Sequence, residues 1–275
     1  MKNPAIERFT EDYRNFNNSL EVPHPYFQQI EYIKVNSAII NEIHKRDHGR
    51  ILDCGSGGGH LIHGLSAISS GCTALDIELH RLVETRKKNP AIHGIAANVE
   101  AGLPFKSAVF DIVIASELLE HLNEPEEFFF EAARILKPGG ALILTTPNSE
   151  NLSIKILRRM PPGMAARLAA RAGVDMILHP ELGGGGAVDR NNPHLHKVEG
   201  YRGQELVTMG EEHGLRAVVV RGFGIPVPDR AYSRLPRVCV RFTVNRLEDH
   251  VPYPLRLMAI YEKQINTKKT IEANC

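Results

Sequence analysis

Asp53, Gly55, Gly57 and Gly59 stand at alternate positions in the run Arg50-Ile51-Leu52-Asp53-Cys54-Gly55-Ser56-Gly57-Gly58-Gly59-His60-Leu61. Ile51-Leu52 reads as a buried strand whose last residue, Asp53, emerges at the carboxyl edge of a sheet. The glycines, with Ser56 between them, remove Cβ atoms where the backbone must turn sharply and a ligand must come close. The helix expected next presents free N–H groups and a positive dipole end to that ligand. The chemistry implied is the holding of a small polar cofactor. The alternative is a glycine-rich turn that holds nothing. The spacing is not Gly-x-Gly-x-x-Gly, and no Gly-Lys-Ser/Thr follows, so the dinucleotide and Walker patterns are excluded.

Further polar residues fall at the ends of apolar runs. Cys72-Thr73-Ala74-Leu75-Asp76-Ile77 is a short strand ending in an acid, about 20 residues past the glycine turn, where such an acid meets a ribose. A carboxylate can accept from both hydroxyls of a ribose diol; its bland role is to cap the helix that starts at Leu79. Asn98-Val99 and Ser116 close two more strand-like runs. His121 follows the last of these and is a candidate base for a hydroxyl or ammonium acceptor, with His194 and His196 next in line. Each of these histidines has a structural alternative. Glu117-Leu118-Leu119-Glu120-His121, joined by His194 or His196, also permits a divalent metal such as Mg²⁺ or Zn²⁺, a reading not favoured over a metal-free one.

The elements that must position these residues alternate strand and helix, which predicts an α/β fold around a mostly parallel sheet with ligands beyond the strands' carboxyl ends. A helix is expected over 125–137: Pro125 suits its first position, acids crowd its first turn, and Lys137-Pro138-Gly139 stops it. Residues 1–49 read as a helical cap, with Phe27, Ile30, Ile33, Ile40 and Ile43 at helical spacing and Tyr13, His24, Tyr26 and Tyr32 as candidate site aromatics. Residues 50–265 form the expected main domain and 266–275 a tail. Within the domain, 149–193 reads as a substrate lid, locally basic through Lys155, Arg158, Arg159, Arg167 and Arg171, with Gly183–Gly186 as a hinge. Its stretch 154–171 could touch an anionic lipid surface or simply be a solvated cationic face.

Composition sets the outer limits. The formal net charge is +1, so no global nucleic-acid signature is present, although 221–246 is rich in arginine with Asp229 as its only acid. The four cysteines, 54, 72, 239 and 275, are too scattered for a metal pair. No N-terminal signal sequence is recognised and no apolar run approaches ~20 residues, so a cytoplasmic, at most membrane-peripheral, protein is expected.

These motifs, in order over 50–148, resemble those of class I S-adenosylmethionine-dependent methyltransferases of the small-molecule, ubiquinone-biosynthesis kind. Asp53-x-Gly55-x-Gly57-x-Gly59 matches the family's first motif. Ala97 to Phe105, Phe110 to Glu117, Leu118 to Leu122 and Arg134 to Leu144 look like its later segments, with Asn98 where Asp is commoner. The resemblance implies a Rossmann-like seven-stranded sheet whose last strand, near 255–262, is antiparallel. It implies S-adenosylmethionine as cofactor and S-adenosylhomocysteine as product, held by Asp53, Gly55, Ser56, Gly57, Gly59, Asp76, Ile77, Asn98, Val99 and Ser116. The catalytic candidates are His121 and His196, and the expected acceptor is a small or lipid-like molecule methylated at oxygen. An RNA methyltransferase and a non-catalytic cofactor-binding protein are the alternatives. The Asn/Asp-Pro-Pro-aromatic motif of base-amine methylases is absent after Ser116.

Overall fold

The structure, a computed structural model, describes residues 3–20, 26–152, 200–223 and 254–265, with scattered positions between 155 and 167. The expected hinge Gly183–Gly186, most of the lid, the candidate bases His194 and His196, and the tail lie outside these residues. Seven strands are present: β1 (Arg50–Cys54), β2 (Gly71–Asp76), β3 (His93–Ala96), β4 (Phe110–Ser116), β5 (Leu136–Pro147), β6 (Leu215–Phe223) and β7 (Arg256–Lys263). They form one sheet in the order β3-β2-β1-β4-β5-β7-β6. β1 to β5 pair in parallel, while β7 lies antiparallel between β5 and β6. The expected Rossmann-like sheet with an antiparallel last strand is therefore present.

Six helices flank it among the described residues: α1 (Pro4–Ser19), α2 (Tyr26–His44), α3 (His60–Leu65), α4 (Leu79–Lys88), α5 (Pro125–Ile135) and α6 (Gly203–Glu212). Both sheet faces are covered, so the central strands read as unbroken apolar runs. Leu52, Leu75, Val113, Leu142 and Leu144 pack against Phe128, Phe129, Ala132 and Ile135 of α5 and Leu206 of α6. Ile51, Ala74, Ile112, Ile114 and Ile143 face the other way, onto Phe9 and Tyr13 of α1, Ile39, Ile40 and Ile43 of α2, and Ile62 and Leu65 of α3. The two N-terminal helices thus belong to a core layer as well as reaching the sheet's carboxyl edge. α1 lies so close to α3 that a Cβ on Gly64 would come within 2.6 Å of Phe9 Cβ.

One boundary differs from expectation. α5 stops at Ile135, and β5 takes up Leu136 and the Lys137-Pro138-Gly139-Gly140 turn. Lys137 precedes a proline and is biased away from helix. Leu136 adopts extended backbone (φ −67°, ψ 138°) and pairs with Phe110, while Lys137 Nζ reaches both carboxylate oxygens of Asp111 at 2.8 Å.

Candidate cofactor and acceptor site

The glycine turn joins β1 to α3. Gly55, Gly57 and Gly59 have φ of 69°, 52° and 69°, a left-handed region that side chains disfavour. The turn is tied to β2. Gly55 and Ser56 donate their N–H groups to Leu75 O (2.8 and 3.0 Å), and Gly57 donates to Asp76 Oδ2 (2.7 Å). Asp76 Oδ1 accepts from Glu78 N (2.9 Å), so this buried carboxylate orders both the glycine turn and the entry to α4. Each oxygen keeps a further lone pair for a ligand. The capping and ligand-binding roles considered for Asp76 are compatible.

Asp53 is 2% exposed. Burial, and then the charge of Asp76, push it up to about 8. Ser56 Oγ is enclosed without a partner among the described residues. Ser116, at the end of β4, lies 3.1 Å through its hydroxyl from Thr145 Oγ1. Asn98 caps a single 3₁₀ turn, accepting from Glu100 N at 3.0 Å, and Val99 is buried within that turn. Ile77 is exposed just past β2. Asp53, Ser56, Asp76, Asn98 and Ser116 thus all lie at or just past strand ends on one edge of the sheet.

Beside that edge lies a cavity of about 890 Å³, within the range of small-molecule sites; of the expected cofactor residues, Ser116 alone lines it. Gly58, His60, Arg81 and Lys88 line one side; Ser116, Glu117, Leu255 and Arg256 line another. α1 and α2 form the facing wall through Tyr13, Phe16, Glu31, Tyr32 and Val35. Tyr13 and Tyr32 pack with ring centroids 4.5 Å apart. Both were expected site aromatics; His24 and the Tyr26 side chain lie outside what is described. An ionic contact fastens this wall. Asp12 Oδ2 of α1 meets His60 Nδ1 at 2.5 Å and Lys88 Nζ at 3.0 Å, and Lys88 also donates to Gly58 O at 2.8 Å. Burial opposes charge on Asp12, but His60 and Lys88 hold it below the usual carboxylate range.

At the other end, Glu117 follows Ser116 with φ 53°, one of two non-glycine residues in the left-handed region among those described. Glu117 Oε2 accepts from Arg256 Nε at 2.8 Å, and Arg256 Nη1 reaches Glu31 Oε2 of α2 at 3.3 Å. Burial works against charge on Arg256, yet Glu117 and Glu31 outweigh it and raise the guanidinium further. Glu120 is buried; desolvation and the Glu117 charge hold it well above the carboxylate range, and Thr146 Oγ1 donates to its Oε2 at 3.1 Å. His121 sits half-buried in the 3₁₀ turn Leu119–His121 and is not among the residues lining the cavity. Among the described residues no group of three His, Cys, Asp or Glu is arranged to hold a metal. Asp12, Glu31 and Arg256 were not anticipated from sequence; their partners are 48 to 225 residues away, beyond any local motif.

These features fit S-adenosylmethionine. The turn is built of glycines in left-handed backbone, Asp76 offers two acceptor oxygens, and the buried acids suit a ligand carrying ammonium and sulfonium charges. The family described as "Methyltransferase domain" matches residues 52–144. The malonyl-[acyl-carrier protein] O-methyltransferase of Enterobacter lignolyticus is 33% identical over 134 residues, covering 46% of this chain and 51% of that protein. The ubiquinone biosynthesis O-methyltransferase of Caulobacter vibrioides is 30% identical over 126 residues, covering 41% and 50%. The chain thus spans about half the length of these curated relatives. A solved S-adenosylmethionine-dependent methyltransferase from Thermotoga maritima superposes with a TM-score of 0.57 at 15% identity, covering 94% of this chain and 98% of that one. Residues 52–144 thus match the methyltransferase-domain family, in a chain that shares the fold of the solved Thermotoga maritima methyltransferase.

Proposed function

We propose that this protein transfers a methyl group from S-adenosylmethionine to a small or lipid-like acceptor, at an oxygen atom. The observation that carries this reading is the cavity itself. It runs from Gly58, in the glycine turn that Asp76 organises, to a wall of aromatic and ionic side chains. The names of the two O-methyltransferase relatives support transfer to oxygen. S-adenosylmethionine supplies an already electrophilic methyl carbon when bound, so the chain needs no covalent nucleophile. What its residues must do is hold the acceptor in line and keep water out. Asp76 and the glycine turn fix the donor side. Tyr13, Phe16, Tyr32 and Val35 give the acceptor side an apolar wall, and α1 is fastened over it by Asp12.

The test is to incubate the protein with methyl-labelled S-adenosylmethionine and a protein-free extract of small metabolites and lipids, with total RNA in a parallel reaction. Label is expected in the metabolite or lipid fraction. Label in RNA alone, or in nothing, would overturn the reading.

A further inference from the structure

The Glu31–Arg256–Glu117 chain has no part in cofactor binding as described, yet it stands in the cavity wall. Three elements contribute to it: α2, the start of β7 and the tip of β4. Partly exposed ion pairs contribute little to stability, and left-handed backbone at a glutamate adds strain, so the arrangement calls for a functional reason. The guanidinium supplies it. Nε is taken by Glu117 and Nη1 by Glu31, but Nη2 has no hydrogen-bond partner among the described residues. The side chain keeps 31% of its surface open and lines the cavity. Two carboxylates therefore fix the plane of a guanidinium whose remaining nitrogen meets no acceptor among the described residues.

Resting on the proposed transfer reaction, we propose that Arg256 Nη2 binds an oxygen of the methyl acceptor, and that the flanking glutamates restrict that acceptor to uncharged molecules. The charges decide the second half. Glu31 and Glu117 together outnumber Arg256, so at this end of the cavity, away from Arg81 and Lys88, a carboxylate-bearing acceptor meets local negative charge. A carbonyl, ether or hydroxyl oxygen carries no such penalty and still accepts from a guanidinium. The aromatic pair Tyr13–Tyr32 suits a ring or alkyl body on the same molecule. Arg256 is in this account a specificity-determining residue that grips the acceptor; Glu31 and Glu117 are positioning residues acting through it.

A matched pair of ring compounds tests this: 4-hydroxybenzaldehyde and 4-hydroxybenzoate, which differ in a carbonyl against a carboxylate. Binding is measured by calorimetry on the full chain loaded with S-adenosylhomocysteine. The wild-type protein is expected to bind the aldehyde at least about tenfold more tightly than the acid. Arg256→Gln is expected to weaken aldehyde binding by about tenfold while leaving the dissociation constant for S-adenosylmethionine within about twofold, with Arg256→Lys recovering part of the loss. Glu31→Gln, with Arg256 in place, is expected to narrow the discrimination against the acid, and it decides the point alone should Arg256→Gln not fold. Preference for the acid, binding of neither compound, or unchanged discrimination in Glu31→Gln would each overturn the proposal. Failure of the transfer reading itself shows differently, as no labelled product from the wild-type protein with any acceptor pool.

Discussion

Asp76 acts at the smallest scale, where one carboxylate holds two backbone segments. Its oxygens accept from Gly57 N and Glu78 N, so removing it both loosens the glycine turn and deletes the acceptor for a ribose diol. Hydrogen bonds to a charged group contribute about 1.5–3 kcal/mol, so Asp76→Ala is expected to weaken S-adenosylmethionine binding by about 10- to 100-fold in calorimetry. Asp76→Asn keeps one acceptor oxygen and should fall between. Wild-type affinity in Asp76→Ala would detach the turn from cofactor binding. This residue was legible in the sequence because its role is local, an acid at a strand tip a fixed distance past a glycine turn. Arg256 was not, because it reaches Glu117 only after β7 inserts beside β5 and sets Arg256 opposite Pro147.

At the scale of elements, the N-terminal helices show the same division. The isoleucine spacing in α2 is visible in the sequence, and Ile39, Ile40 and Ile43 are fully buried. α1 is harder to read: its buried stripe is Ala5, Phe9, Tyr13 and Asn17, with a polar residue at one end and a small one at the other. What fixes α1 is contact with α3 at Gly64 and the Asp12 ion pair, neither of which leaves a periodic trace. The helix is consequently a structural part of the domain as well as a wall of the cavity. Phe9→Ala, at a site with no exposed surface, is expected to cost about 3–5 kcal/mol in urea unfolding. Gly64→Val would force the two helices apart and should cost about 1–3 kcal/mol. Losses below about 0.5 kcal/mol in both variants would show that α1 is only loosely attached. The α5–β5 boundary adds a third case. The stop signal at Lys137-Pro138-Gly139 is real, but Leu136 already belongs to the strand because Phe110 offers it a pairing partner, and pairing partners are not written in the local sequence.

Across the whole molecule the formal net charge is only +1, yet acids gather at one edge of the sheet: Asp53, Asp76, Glu117 and Glu120, with Glu31 facing them from α2. Asp53 registers this excess most clearly. Its pKa rises from 3.8 to about 8, by burial first and by Asp76 second, with Tyr32, Cys54 and Cys72 as its other titratable neighbours. A raised acid pKa means that the folded protein holds a proton the unfolded chain has released. Stability from this group is therefore full below about pH 4 and is lost as pH rises toward about 8. S-adenosylmethionine brings net positive charge to the same edge and favours the ionised carboxylate, so its binding should expel the Asp53 proton. The expected outcome is an affinity that strengthens with pH up to about 8, by at most about tenfold per pH unit, together with a thermal midpoint of the ligand-free protein that declines over the same range. S-adenosylhomocysteine, lacking the sulfonium, should show a shallower slope. Asp53→Asn removes the titrating group and should flatten both profiles. Calorimetry in buffers of different ionisation enthalpy counts the proton directly. Wild-type and Asp53→Asn profiles that run parallel, with no proton released by the wild-type protein, would mean that the acids at this edge are neutralised within the protein and do not draw in the cofactor by charge.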